Sequence, residues 1–336
     1  MSRVAVVGAT GAVGAEMLNV LAQRAFPVTA IKALASARSA GKKLPYTGSG
    51  GDGSGFVTVE ELTHDSFNDV DIALFSAGAS ISEEYGPSAV AAGAVVVDNS
   101  SQFRMRDDVP LVVPEVNPQD AHTHSGIIAN PNCSTIPLVM ALDAMRTVAP
   151  IKRVVVSTYQ AASGAGQPAM DELYEQTGDF LAGRELHPKE FAHRIAFNCI
   201  PQIDVFLEDG STKEEWKMVV ESRKILHDDD LAMSATCVRV PVLRCHSESV
   251  NVEFDAPITL EAVRAALEVV DGITLLDDPD SKTYPMPALL AGTDDVYIGR
   301  LRIDDSVPHG VAFWNVSDQL RKGAALNTVQ IAELLV

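Results

Sequence analysis

The sequence predicts an α/β protein in two parts: a doubly wound, mostly parallel sheet first, then a mixed or antiparallel sheet in an α+β domain. Three observations point this way. The first hundred or so residues alternate short apolar runs with helical patterns. A glycine-rich turn, GATGAVG (8–14), lies between the first apolar run and the first helical pattern. From about residue 151 the texture shifts to longer β-branched runs. The length, 336 residues, fits one large or two medium domains.

Taken in order, VAVV (4–7) is short and wholly apolar, as a parallel strand covered on both faces should be. Val13, Met17, Leu18 and Leu21 then repeat at helical spacing. VTAIKAL (28–34) is a second strand. KKLPY and FVTVEEL flank TGSGGDGSG (47–55), which reads as a flexible hairpin tip and not a phosphate loop, because it runs into no apolar helix. DIALFSA (71–77) and AVVVDNS (94–100) are further buried strands, with a helix over 82–92 between them. In the second part RVVVSTY (153–159), SATCVRVPVL (234–243), SVNVEF (249–254), DVYIGRLRI (295–303) and GVAFWNVS (310–317) read as strands. Helical patterns fall near 167–181, 213–226 and 259–270. A last helix, over about 318–335, carries Leu320, Ala324, Thr328, Ile331 and Leu335 on one face.

Composition excludes several classes of function. A net charge of -19 opposes a nucleic-acid surface, so any bound anion must be met by a few placed cations. The four cysteines, at 133, 199, 237 and 245, form no CxxC pair and no disulfide framework, which suits a reducing compartment. The opening MSRVAVVGATG breaks its apolar run at Gly8, too early for a signal-peptide core, and no segment has the apolar length of a membrane span. A cytoplasmic protein with no membrane partner is expected. HDDD (227–230) reads as a solvated helix end, and the pair His122 and His124 has no carboxylate pattern beside it, so no metal site is expected. Cys199 and Cys237 lie in apolar surroundings and read as core thiols.

Two motifs carry chemistry. Gly8, Gly11 and Gly14, with Thr10, Ala12 and Val13 among them, join a strand to a helix as a dinucleotide fingerprint does. Glycines let the backbone approach a pyrophosphate, and the helix N-terminus supplies N–H groups and partial positive charge. An NAD site usually places an acid at the end of the second strand. This chain has ALASARSAGK there, with Ser36, Arg38, Ser39 and Lys42 offering donors and charge for a 2′-phosphate, so NADP is the expected cofactor. The second motif is NPNCST (130–135), followed at once by an apolar helical run. Pro137 is tolerable only in the first turn, which puts Cys133 at or next to the N-cap. A thiol with an ordinary pKa of about 8.5 gains thiolate character at such a place, and the same N–H groups can receive an oxyanion. Taken alone, a buried structural cysteine fits equally well.

GATGAVG, SSQFRM (100–105), VPEVN (113–117), ANPNCST (129–135), TYQAASGAG (158–166), EEWKM (214–218), RVPVLRCHSE (239–248) and LRKGAALNT (320–328) together strongly resemble the aspartate-β-semialdehyde dehydrogenase family, over nearly the whole chain and in order. The resemblance implies a Rossmann-type NADP-binding domain over 1–130. It implies an α+β catalytic and dimerisation domain of the glyceraldehyde-phosphate dehydrogenase-like type over 131–317, with the helix 318–336 packing back on the first domain. It also implies a homodimer, a tetramer remaining open. The implied reaction turns L-aspartyl-4-phosphate into L-aspartate 4-semialdehyde and phosphate with NADPH, feeding lysine (through diaminopimelate), threonine and methionine biosynthesis.

Residue by residue, the resemblance makes Cys133 the nucleophile, Gln160 its substrate-positioning neighbour and His246 the acid/base. Arg239 matches the grip on the substrate carboxylate and Glu214 the partner of its amino group. Arg104 and Lys217 match the phosphate cations. Ser163 and Gly164 match a turn against the nicotinamide end, and Gln319 falls where the family has an Asn or Gln contacting the cofactor. From the residues alone, Glu214 and Lys217 are a solvated surface pair three apart on a helix, and nothing shows that Arg239 and His246 converge. Cys245 and His246, adjacent on a strand, should point to opposite faces. The alternatives are an N-acetyl-γ-glutamyl-phosphate reductase-like enzyme, disfavoured because an acetamide needs no Glu214, and a non-catalytic NADP-sensing Rossmann protein, which would not need Cys133, Gln160 and His246 together. A cysteine hydrolase would leave the glycine fingerprint unexplained.

Overall fold

Val4 and Val6 turn to one side of the first strand and Ala5 and Val7 to the other, and all four are buried in two different apolar clusters. A strand covered on both faces is what the unbroken apolar run requires. The structure, a computed structural model, describes residues 2–336. It divides into two units, the chain up to Asn132 with Ala324–Val336, and Cys133–Gly323.

The first unit contains β1 (Ser2–Val7), α1 (Ala12–Gln23), β2 (Val28–Ala35), β3 (Lys43–Pro45), β4 (Phe56–Glu61), β5 (Ile72–Phe75), α2 (Ala79–Ala91), β6 (Val95–Asp98) and β7 (Ile127–Ala129). Its sheet runs β3-β4-β2-β1-β5-β6-β7, parallel throughout except for the β3–β4 hairpin that the Gly/Ser tip closes. The chain order reverses at β1 and β5, so a crevice opens at their carboxyl ends. Met17, Leu18 and Leu21 of α1 join the cluster on one face, together with Ile331 and Val329 of the C-terminal helix Leu326–Glu333. Phe67 and Phe75, stacked at 5.8 Å, anchor the other. Burying one such large side chain contributes about 1.5–3 kcal/mol.

That C-terminal helix is shorter than expected. Residues 318–323 belong to the second unit, and Arg321–Ala325 forms a π-helical turn before the α-helix begins. The cause is Asp318. Its buried carboxylate accepts from Arg244 Nε at 2.5 Å, from the Gly292 N–H at 2.6 Å and from the Leu320 N–H at 3.0 Å, which fixes this stretch as a turn. The helix proper is tied to the first unit through Asn327, which donates to the Val112 carbonyl and to Asn130 Oδ1, and through Arg24 with Glu333.

The second unit contains α3 (Thr135–Arg146), β8 (Ile151–Gln160), α4 (Gln167–Leu181), α5 (Lys213–Leu226), β9 (Ala232–Arg239), β10 (His246–Phe254), α6 (Leu260–Glu268), β11 (Ile273–Leu275), α7 (Pro287–Leu290), β12 (Val296–Asp304) and β13 (Gly310–Ser317). The six-stranded sheet runs β11-β12-β13-β10-β8-β9 and is mixed. Helices α3, α5 and α6 lie together on one face, where the alternating apolar residues Val154, Val156, Val250, Val252, Val311 and Phe313 are buried. Helix α5 is fixed from its first turn. Thr212 and Glu215 form a capping box, and Glu215 Oε1 also accepts the Cys237 N–H of β9 at 2.9 Å.

Candidate active site

Cys133 stands immediately before Ser134, the N-cap of α3. Pro137 is the third helical residue, where its missing N–H removes no intrahelical bond. The helix behind it is buried along nearly its whole length, so its opening turn is held rigidly. The chain also passes tightly beside the thiol. A Cβ added at Gly323 would sit 3.0 Å from the Cys133 Cβ.

Gln160, the last residue of β8, donates from its amide to Ser134 Oγ at 2.9 Å and to Glu214 Oε1 at 3.2 Å. It therefore joins the cysteine turn to α5. Glu214 Oε2 in turn accepts from Lys217 Nζ at 3.2 Å, and Lys217 also reaches Asp204 at 2.7 Å. The Lys217 and Glu214 side chains are only 12% and 6% exposed, so this is no solvated surface pair, contrary to the reading of the residues alone. Burial disfavours the Lys217 charge, yet Glu214 and Asp204 hold its ammonium above its ordinary value.

Arg239 and His246 converge on the backbone of one residue, Ala161. The Ala161 N–H donates to His246 Nδ1 at 3.0 Å, and the Ala161 carbonyl accepts from Arg239 Nη1 at 2.7 Å. With Nδ1 accepting, the ring proton of the neutral imidazole sits on Nε2. Burial, reinforced by Arg239, pushes the imidazole well below its ordinary value, so it stays neutral. The Arg239 guanidinium lies over the Phe191 ring at 5.9 Å. Burial lowers its pKa, and negative charge on Cys133 and Glu214 acts against that shift. Gly164 makes the convergence sterically feasible, because an added Cβ there would lie 2.8 Å from Arg239 Nη1 and 3.0 Å from His246 Cε1. Gly164→Ala is expected to lower kcat/KM about a hundredfold, since displacements near 1 Å in a site have that effect. Steady-state kinetics checks this, and a loss under about threefold would mean the two side chains have room to move.

Ser163 and Gln319 are both buried and bonded to each other. Gln319 Nε2 donates to Ser163 Oγ, and its Oε1 accepts the Cys245 N–H at 2.8 Å. The Gln319 amide thus holds the Ser163 turn against Cys245. Cys237 and Cys245 are buried, and burial raises both thiols, Cys245 to about 12. The Cys245 thiol sits in an apolar cluster with Leu290 and Val316. Cys199 corrects the expectation of a core thiol: it is exposed, in the irregular segment before the Ile200–Arg239 bridge.

In the first unit, the glycine loop fits a dinucleotide. Gly8 has φ +82°, and a Cβ on it would meet the Ser76–Ala77 peptide at 3.0 Å. A Cβ on Gly14 would lie 2.2 Å from the Gly8 carbonyl oxygen. Gly11 is the N-cap of α1. No side chain caps this helix and no acid stands in its first turn, so Ala12, Val13 and Gly14 present the opening N–H groups a pyrophosphate needs. Thr10 is exposed beside them. At the end of β2, Ser36 and Arg38 are exposed whereas Ser39 is buried, and the turn 36–39 carries no acid. The loop after β6 separates its two arginines. Arg106 is exposed and paired with Asp108 at 2.6 Å, whereas Arg104 is buried and donates to the Asn99 carbonyl at 2.7 Å.

The description "Semialdehyde dehydrogenase, dimerisation domain" matches residues 142–322, and "Semialdehyde dehydrogenase, NAD binding domain" matches residues 3–124. The chain belongs to the semialdehyde dehydrogenase family. It is similar to the aspartate-semialdehyde dehydrogenase of Aquifex aeolicus, 52% identical across 99% of this chain and 98% of that protein. The Bacillus subtilis enzyme of the same name is 50% identical across 99% and 96%. Among solved structures, aspartate semialdehyde dehydrogenase II of Vibrio cholerae, complexed with ASA, matches with a TM-score of 0.95 at 47% identity, covering 100% of this chain and 98% of that one. The Candida albicans enzyme with NADP matches at 0.75 and 26%, covering 100% and 98%.

Several residues of this semialdehyde dehydrogenase site escape sequence reasoning. Ala161 orients both Arg239 and His246 through its backbone, which leaves no side-chain signal. Asp204 and Phe191 lie in irregular segments with no periodicity, and Gly323 reads as an ordinary small residue in a basic stretch. Ser134 looks like a helix cap but instead accepts from Gln160, and no side-chain cap bond is made at that helix end.

Proposed function

We propose that this chain converts L-aspartyl-4-phosphate and NADPH into L-aspartate 4-semialdehyde, NADP and phosphate through a thioester on Cys133. The observation that carries the reading is the hydrogen-bonded convergence of Gln160, Glu214, Arg239 and His246 about the turn that bears Cys133. The named relatives favour it over the N-acetyl-γ-glutamyl-phosphate reductase-like and sensor alternatives.

The Cys133 thiolate attacks the acyl carbon, a C–S bond forms and the C–O bond to phosphate breaks. Lys217 takes one phosphate-binding role on its buried charge, and Arg104 takes the other on its match to the family motif. Arg239 offers its planar fork to the α-carboxylate, and Glu214 meets the ammonium group. When bound, NADPH supplies the hydride that reduces the thioester. His246 donates from Nε2 to the oxygen where negative charge develops, and the α3 N–H groups share that load. Because Nδ1 is occupied by the Ala161 N–H, a hydrogen-bond donor role suits this imidazole better than cycling through imidazolium. Collapse of the tetrahedral anion re-forms the carbonyl and returns Cys133 to thiolate.

Gly8, Gly11 and Gly14 with Thr10, Ala12 and Val13 hold the pyrophosphate, Ser36, Arg38 and Ser39 the 2′-phosphate end, and Ser163, Gly164 and Gln319 the nicotinamide end. A homodimer assembles through the second unit, where Phe180, Leu181, Phe197, Val205 and Phe206 are exposed. The product enters amino-acid biosynthesis. The cytoplasm is the compartment that keeps such a thiol reduced. Among the described residues no helix is long and apolar enough to cross a membrane.

The test is NADPH formation from aspartate semialdehyde with and without phosphate, beside N-acetylglutamate semialdehyde. Phosphate-dependent reduction of NADP with the first aldehyde alone is expected. Activity with only the acetylated aldehyde would overturn the Glu214 assignment, and activity with neither would overturn the reaction.

A further inference from the structure

The helix-covered face of the second sheet is laid out in rows. At the edge of that sheet where β8, β9 and β13 end and β10 begins, Arg239 lies opposite Gln160, and His246 lies opposite Ser317. Two residues into the sheet on each strand comes a second row: Cys237 opposite Thr158, Thr158 opposite Glu248, and Glu248 opposite Asn315. The third row, Ala235, Val156, Val250 and Phe313, is apolar. All four residues of the second row are buried, and none of them has a role in the chemistry described above.

Glu248 is the unexpected member. Asn315 Nδ2 donates to Glu248 Oε2 at 3.0 Å. The other two atoms of the same pair, Glu248 Oε1 and Asn315 Oδ1, are buried with no hydrogen-bond partner. If Glu248 were ionised, both would be acceptors facing no donor, each at a penalty of about 1–3 kcal/mol. One proton on Oε1 turns that atom into a donor, and the Asn315 amide oxygen is the acceptor of the same pair. Among the described residues no cation pairs with Glu248. Of the ionisable groups on neighbouring elements, Arg239 bonds to Ala161, Glu214 to Lys217 and Gln160, and Glu215 to the Cys237 N–H. Cys237, opposite Thr158, is a thiol, and Asp143 and Arg146 of α3 pair with each other. Burial also drives the Glu248 carboxyl well above the usual range, and the Asn315 bond only partly offsets it.

We propose that Glu248 is a neutral carboxylic acid locked to Asn315 by two hydrogen bonds, and that this uncharged pair keeps His246 neutral with its proton on Nε2. Glu248 is then a positioning residue. A carboxylate on the same strand face, two residues from His246, would stabilise an imidazolium. That ion needs a proton on Nδ1, which would break the bond from Ala161. The proposal rests on the donor role assigned to His246 above.

Three variants and one spectrum test it. E248L orphans the Asn315 amide and is expected to lower kcat about tenfold. E248Q keeps both hydrogen bonds without a charge and is expected to restore kcat, with an unchanged pH profile. N315D places two carboxyls in one pair, leaving a negative charge beneath His246, and is expected to shift the acid limb of kcat/KM about one unit upward. Infrared difference spectra of wild type against E248Q should show a protonated-carboxyl C=O band that persists across the active pH range. E248Q as impaired as E248L, an N315D profile identical to wild type, or absence of the band would each overturn the proposal. If E248L or N315D fails to fold, E248Q and the infrared band decide. The spectrum does not depend on His246, so a band that persists while His246→Asn keeps full activity would retain the neutral pair and reject its link to the histidine.

Discussion

Cys133→Ser is expected to abolish phosphate-dependent NADPH formation, by about a thousandfold or more, while leaving the fold intact. The hydroxyl has nearly the same size and occupies the same place before α3, so stability should change by no more than about 1 kcal/mol. What disappears is the nucleophile. A serine hydroxyl gains almost no alkoxide character from a helix N-terminus, and among the groups that converge here none can act as its base. His246 offers Nε2 as a donor, because Nδ1 accepts from Ala161. Gln160 cannot take a proton, and Glu214 is already engaged by Lys217 and Gln160. The decisive measurement is a burst. Wild type mixed with aldehyde and NADP, without phosphate, should release NADPH in proportion to active sites as the thioester accumulates, and the variant should release none. A variant that keeps a tenth or more of the wild-type rate, or still shows the burst, would remove Cys133 from the covalent step.

The elements that the sequence makes legible are those whose periodicity matches their burial. Strands β1 and β5 fall where their apolar runs place them, β5 buried at every residue and β1 at all but Arg3, and helix α5 falls where its amphipathic pattern places it. The C-terminal helix does not. Its pattern is continuous from Leu320 to Leu335, but a single carboxylate, Asp318, holds the first residues in a turn. Periodicity cannot report a tertiary hydrogen bond. The site behaves in the same way. Cys133 at a helix start follows from Pro137 and the apolar run. The pairing of Arg239 with His246 does not, because it depends on a 3₁₀ turn, 162–165, bonded to the loop at Val242 and Leu243. Glu214 and Lys217 have the spacing of a surface pair. They are buried because Glu215 beside them fastens α5 to β9, a contact with no signature in the chain. Cys199 is exposed although its neighbours are apolar, because that segment is irregular and no helix or sheet covers it.

Gly14→Ala is expected to weaken NADPH binding about a hundredfold or more and to lower stability by about 1–3 kcal/mol. The added methyl carbon would lie 2.2 Å from the Gly8 carbonyl oxygen and 2.8 Å from the Ala9 Cα, both backbone atoms. Neither can rotate away as a side chain would, so α1 must shift off the end of β1. That shift moves the N–H groups of the opening turn, which offer a pyrophosphate donors without a cation. Binding and stability should therefore fall together. Gly11→Ala is the internal comparison, since its Cβ would meet the same carbonyl oxygen at 3.3 Å, a distance that a few tenths of an ångström relieve. Fluorescence titration with NADPH and thermal melts of the two variants separate the cases. If Gly14→Ala binds NADPH within about threefold of wild type while melting lower, the glycine serves only helix–strand packing. Loss of binding at an unchanged melting temperature would point to direct contact with the phosphates. A parallel fall in both is the outcome that the 2.2 Å approach requires, because the same carbonyl oxygen limits the helix and shapes the loop.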